Sequence, residues 1–151
     1  FELASSWLAD CFNHKNLHTI AQYYHGNATV QWPGGRRTTG IAGISGILSQ
    51  WLAQVPNAKA TLDHIAVTPF DHNTLDIAIR WSVAGIFNAQ DPELAMFTGQ
   101  KYFVLAASHF RVQSGKIIQE WTVFDEVAAM VNLIRNHPEP DSQANLNKES
   151  K

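Results

Sequence analysis

The order of hydrophobic patterns along this 151-residue chain predicts an α+β fold, with helices first and antiparallel strands after them. Three observations carry that reading. Up to Pro56 the apolar residues recur every three to four positions, and beyond it they recur every two. Strands and helices do not alternate in the way that builds a parallel sheet. The strands are also long, which suits a strongly curved sheet wrapped over three helices, with an apolar pocket between the layers.

Leu3, Trp7 and Cys11 fall on one stripe, flanked by Leu8 and Phe12, so residues 2–12 read as a first helix. Leu17, Ile20, Ala21 and Tyr24 give the i, i+3, i+4, i+7 spacing of a second, ending at His25-Gly26. Ala28 to Trp32 reads as a short strand closed by Pro33-Gly34-Gly35. Thr38 or Thr39 caps a third helix carried by Ile44, Ile47, Leu48, Trp51 and Leu52, with Pro56 past its end. Ala58 to Thr68 is a strand, followed by a turn at Phe70-Asp71-His72-Asn73. Leu75, Ile77, Ile79, Trp81 and Val83 then alternate with polar or small residues, the clearest amphipathic strand in the chain. Residues 88–96 form a loop at the mouth of the pocket. A long strand from Phe97 to Val112 is apolar on both sides until His109, which predicts that both its faces are covered. Val127, Met130, Val131 and Ile134 make a last helix. Residues 1–137 thus form one domain, and the polar, aperiodic stretch 138–151 is expected to be a disordered tail.

Composition narrows the function classes. The chain is 45% hydrophobic and only 16% charged, with five Trp and eight Phe, which predicts an interior lined with large rings. A net charge of −2 without a basic cluster argues against nucleic acid as a partner. No apolar run approaches the length of a membrane span, so no membrane partner is expected. The single Cys11 excludes an internal disulfide and fits a reducing compartment, hence a cytoplasmic location. The chain opens on Phe1, already inside a helical pattern, as expected of a processed protein or one piece of a longer chain.

The chemistry concentrates in HFRVQSGKIIQEWTVFD, His109 to Asp125. Two apolar-rich runs flank Ser114-Gly115, the signature of a β-hairpin. With those two residues as the loop, Gln113 faces Lys116 and His109 faces Glu120, with Thr122 as diagonal neighbour. An imidazole beside a carboxylate in an apolar strand has the makings of an acid/base pair, and also of a half-solvated pair at the sheet rim. Asp125, just before a helical stripe, reads as its N-cap. Arg80 either anchors a ligand oxygen or pairs with Asp76 or Glu120. Tyr24, Trp32, Trp81, Phe103 and Trp121 line a pocket for a flat apolar ligand or belong to the core. His14 and His18 share the i, i+4 spacing of a metal pair but lack a third ligand, so they read as surface residues and no metal is expected.

Three tracts together resemble the SnoaL-like polyketide (ester) cyclase family of the NTF2-like superfamily. They are Tyr24 to Ile47, where HGNATVQWPGG leads through RRTTGIAGI into a helix; the Arg80-Trp81 strand; and the ending HFRVQSGKIIQEWTVFDEVAAM. The resemblance runs from Leu3 to Ile134 and implies a cystatin-like cone, a curved antiparallel sheet over three N-terminal helices with a short C-terminal helix. It implies acid/base chemistry by a His and an Asp in the pocket. His109 matches the histidine before the hairpin turn. The position of the acid next to the tryptophan is Thr122, and Gly85-Ile86-Phe87 stands where the family has Gly-Thr-His. Glu120 or Asp125 would then replace the acid. The expected function is a cofactor-free enzyme performing cyclisation, isomerisation or dehydration on an apolar carbonyl-containing metabolite. His109 would be the base, Glu120 or Asp125 its partner, and Arg80, Trp81 and Thr122 would contact the substrate. The alternative is a non-catalytic module of the same fold that holds a hydrophobic ligand or serves dimerisation. A homodimer through the sheet is expected in either case.

Overall fold

A computed structural model describes residues 2–137; Phe1 and the stretch 138–151 lie outside the described residues. The first helix is α1 (Glu2–Leu8), which changes winding into a π-helical turn at Ala9–Asn13. Ala4, Trp7, Leu8, Cys11 and Phe12 form its buried face. Lys15, at φ 56, ends the run, and its Nζ donates to the carbonyls of Phe12 and Ala58. The Asn13 carboxamide pairs both ways with the backbone of Ala60. These bonds fix the first helical layer against the sheet. They also break the helical spacing of His14 and His18: His14 is exposed beside Asp10, and His18 lies in a separate 3₁₀ turn, Leu17–Thr19.

The second helix is shorter than its periodicity suggests. After α2 (Ile20–Tyr23) the chain is already extended at Tyr24, where β1 (Tyr24–Trp32) begins, two residues before the expected stop at Gly26. Pairing of Tyr24 with Ile117 in a parallel ladder takes precedence over the last helical turn. Pro33-Gly34-Gly35 leads into β2 (Arg36–Thr39), an additional strand that the sequence RRTT does not announce because it has no apolar alternation. Thr39 precedes α3 (Gly40–Gln54) in the N-cap position without a side-chain bond to the helix. Gly40 sits at φ +81, and a Cβ there would lie 3.3 Å from the Gly26 carbonyl, so the junction needs glycine.

The remaining strands are β3 (Lys59–Pro69), β4 (Thr74–Ile86), β5 (Lys101–Gln113) and β6 (Lys116–Phe124). The long strand starts at Lys101 rather than Phe97, because Asp91 caps a 3₁₀ segment, Pro92–Phe97, in the expected loop. The sheet order is β2-β1-β6-β5-β4-β3, antiparallel except for β1 and β6. Its inner face carries Ile77, Ile79, Trp81 and Val83 of β4 and the even residues of β5 from Tyr102 to Val112, all buried. The outer face is open, contrary to the expectation of cover on both sides: Phe103, Leu105 and Ala107 are exposed.

Rings occupy the space between sheet and helices. Trp7 packs edge-on against Phe12, Trp81 and Phe110, and Phe12 against Trp51. Trp51 continues to Tyr102 and Phe124, and Phe124 to Trp32. The last helix, α4 (Glu126–Asn136), buries Ala129 and Leu133 and is tied to the start of β2 by a 2.5 Å Arg36–Glu126 ion pair.

Candidate active site

The Ser114-Gly115 hairpin forms as its sequence dictates, with Gln113 opposite Lys116 and Val112 opposite Ile117. The next pair is Arg111 with Gln119. Ile118 is therefore an extra residue, a β-bulge, and every later position on β6 changes face. His109 stands opposite Trp121 instead of Glu120, and Glu120 stands opposite Phe110. The expected His109–Glu120 pair does not form, since the two side chains lie on opposite faces of the sheet.

Turned inward, Glu120 is 2% exposed. Three donors satisfy it. Tyr24, the first residue of β1, donates its hydroxyl to Oε2. Trp32, the last residue of β1, donates Nε1–H to Oε1 at 2.7 Å, and Thr122 donates its hydroxyl to Oε1 at 2.6 Å. Strand periodicity explains the set: Tyr24 and Trp32 share the inner face of the strand beside β6, and Thr122 lies two residues along on the same face as Glu120. Two residues that the sequence did not single out complete the network. Trp7 of α1 donates Nε1–H to the Tyr24 oxygen at 2.9 Å. Ser108, opposite Thr122 on β5, lies 2.7 Å from it and accepts from Trp81 Nε1 at 3.0 Å. The Trp81 N–H thus serves Ser108 rather than an open pocket. The only signals in the sequence were the place of Trp7 on the apolar stripe of the first helix and the parity of Ser108 with the inward residues of its strand.

Two opposed effects set the proton affinity of Glu120. Burial raises its pKa above the ordinary carboxylate value, and the three donors from Thr122, Tyr24 and Trp32 pull it back without cancelling the rise. The Tyr24 hydroxyl is driven well above its normal range, by burial first and by the Glu120 charge second. A carboxyl whose proton affinity is raised by burial has the character asked of a general acid or base.

The other expected site residues are elsewhere. His109, its side chain 43% exposed, lies 3.3 Å from Asp76 on the outer face, with its ring against Trp121. Asp76 is held below the usual carboxylate range chiefly by two hydrogen bonds from Arg111. Arg80 pairs with neither Asp76 nor Glu120; it borders an outer-face groove of about 550 Å³ with Leu105, Ala107, Val123 and Asp125. Phe103 and Trp121 are also outer-face residues. Asp125 caps α4, accepting from the Ala128 N–H at 2.8 Å. Among the described residues, no group of three or more His, Cys, Asp and Glu has the geometry of a metal site.

The raised pKa of Glu120 has a thermodynamic consequence of definite sign. A carboxyl whose pKa is higher folded than unfolded contributes stability below the unfolded value, and that contribution is lost as pH rises through the folded value. Denaturant unfolding of the wild type and Glu120→Gln across that window should therefore give a stability difference that falls as pH rises. A flat difference would mean that Glu120 titrates alike folded and unfolded.

Comparison with known proteins agrees with this architecture. The family model for SnoaL-like polyketide cyclases matches residues 2–133. A protein of Acidithiobacillus ferrooxidans assigned as a polyketide cyclase superposes with a TM-score of 0.74 at 16% identity, over 89% of this chain and 93% of its own. IdmH of Streptomyces antibioticus gives 0.71 at 21% identity, over 89% and 99%. A Catenulispora acidiphila protein with a ketosteroid isomerase-like fold gives 0.69 at 17% identity, over 86% and 90%. No curated protein matches the sequence. With nearly its whole described length matched and the cone of helices and curved sheet in place, the chain belongs to the SnoaL-like polyketide cyclase family.

Proposed function

We propose that the protein is a cofactor-free acid/base enzyme acting on an apolar, carbonyl-containing metabolite, with Glu120 as the group that moves the proton. The observation that carries this reading is the Glu120 cage itself. It supplies a carboxyl on the inner side of β6, two residues before Thr122, where the family's acid would stand. Tyr24 and Trp32 hold the carboxyl, and the surrounding rings suit an apolar substrate. In the closed interior the rings occupy the substrate's place, so catalysis requires them to part.

Proton transfer can be read without knowing the product, as deuterium uptake in D₂O at the carbon next to the carbonyl across a panel of carbonyl compounds. Glu120→Gln should slow exchange by about 10²–10⁴-fold, the usual share of a general acid/base. His109→Ala, on the other face, should leave it unchanged. Binding of these compounds without exchange would favour the non-catalytic, ligand-holding alternative.

A second reading concerns assembly. Leu105 and Val123 are 59% and 64% exposed, and with Phe103 and Trp121 they form an apolar outer face of the kind that marks interaction sites. We infer that a second copy covers this face. Light scattering should give twice the chain mass of 16.8 kDa, and Leu105→Glu with Val123→Glu should give the monomer. A wild-type monomer at micromolar concentration would remove the dimer.

A further inference from the structure

Of the three donors that hold Glu120, Trp32 is itself an indole, and the other two, Tyr24 and Thr122, belong to chains that each end on an indole. One runs from Trp7 Nε1 to the Tyr24 hydroxyl and on to Oε2. The other runs from Trp81 Nε1 to Ser108, to Thr122 and on to Oε1. An indole N–H donates and cannot accept, and an ionised carboxylate accepts and cannot donate. Between such ends the hydroxyl protons can point only one way, from Ser108 to Thr122 to Glu120 and from Tyr24 to Glu120. If Glu120 takes a proton and donates it into either chain, that chain must reverse, and its last hydroxyl meets an indole N–H with nothing to receive its proton. Both chains therefore favour the carboxylate, against burial, which favours the acid. The indole ends themselves meet, Trp7 against Trp81 edge-on at 5.8 Å.

We propose that Trp7 and Ser108 are positioning residues that set the proton affinity of Glu120 from two directions, Trp7 through Tyr24 and Ser108 through Thr122. Each polarises the hydroxyl next to it and makes it a stronger donor to the carboxylate, as chains of hydrogen bonds do in a low-dielectric interior. The titratable groups facing this network are Tyr24 from β1 and the Cys11 thiol from the π-helical turn. Burial pushes that thiol up to about 12, with the charges of Asp10 and Glu120 adding to the rise. Among the described residues no Lys, Arg or His forms an ion pair with Glu120. The functional meaning of the inference rests on Glu120 being the acid/base group, but its physical content does not.

The test is a ¹³C NMR titration of the Glu120 carboxyl, assigned with Glu120→Gln, in the wild type, Trp7→Phe, Ser108→Ala and Ser108→Thr. Trp7→Phe keeps a ring and removes the N–H; Ser108→Ala removes the hydroxyl and Ser108→Thr restores it. The midpoint should rise by roughly 0.1–0.6 pH unit in Trp7→Phe and in Ser108→Ala, the size of a 10–30% change in a charge-assisted bond. Ser108→Thr should return it towards the wild type. An unchanged or lowered midpoint in a folded Trp7→Phe or Ser108→Ala overturns the proposal, and if one variant does not fold the other decides, because each chain reaches Glu120 separately. Shifted midpoints combined with unimpaired deuterium uptake by Glu120→Gln would uphold the relay and remove the catalytic role of Glu120.

Discussion

Placing a carboxyl among aromatic rings imposes a condition on everything around it. Taking an ionised carboxylate out of water costs several kcal/mol even after the protein relaxes. Hydrogen bonds to a charged group return about 1.5–3 kcal/mol each, so three are of the same order as the penalty and one is not. Glu120 has three, and they come from both ends of β1 and from β6 itself. Two further elements, α1 and β5, hold two of those donors in place through Trp7 and Ser108. The α1 helix, the parallel β1–β6 pairing and the β5–β6 register are thus tied to one side chain. Losing any of them would leave a buried polar group without its partner.

That arrangement also separates the two faces of the sheet. The inner face combines rings with one closed polar network, in which each indole and hydroxyl has a use. The outer face combines exposed apolar residues with a conventional surface cluster, where Asp76 receives Arg111 and lies beside His109, and Arg111 stacks over Phe70. The acid/base chemistry and the assembly proposed above accordingly fall on different sides of the same strands. His109 belongs with the second.

Much of this was legible in the chain. The switch from a period near four to a period of two located the helical layer and the sheet, and the alternation in β4 named its buried residues Ile77, Ile79, Trp81 and Val83, though Leu75 at the start of the strand is exposed. The Ser114-Gly115 turn and the N-cap role of Asp125 followed from local chemistry. Two things were hidden. β2 has no apolar residues, so only its ladder with β1 reveals it. The Ile118 bulge is invisible to counting, since an unbroken ladder would set His109 against Glu120 and send Trp121 and Val123 inward, which simple hydrophobicity also favours. What overrides that preference is the set of donors awaiting a carboxylate inside. Thr122 was the available clue: if the acid position of the family faces the pocket, a residue two places away on the same strand faces it too.

Double-mutant cycles measure directly which side chain Glu120 answers to. Unfolding free energies of Tyr24→Phe, Glu120→Gln and the double variant should show a coupling above about 1 kcal/mol, as for a buried bond to a carboxylate. The same cycle with His109→Ala and Glu120→Gln should be additive to within about 0.5 kcal/mol. Strong coupling of Glu120 to His109 and none to Tyr24 would mean that the bulge is absent and that the carboxyl faces outward.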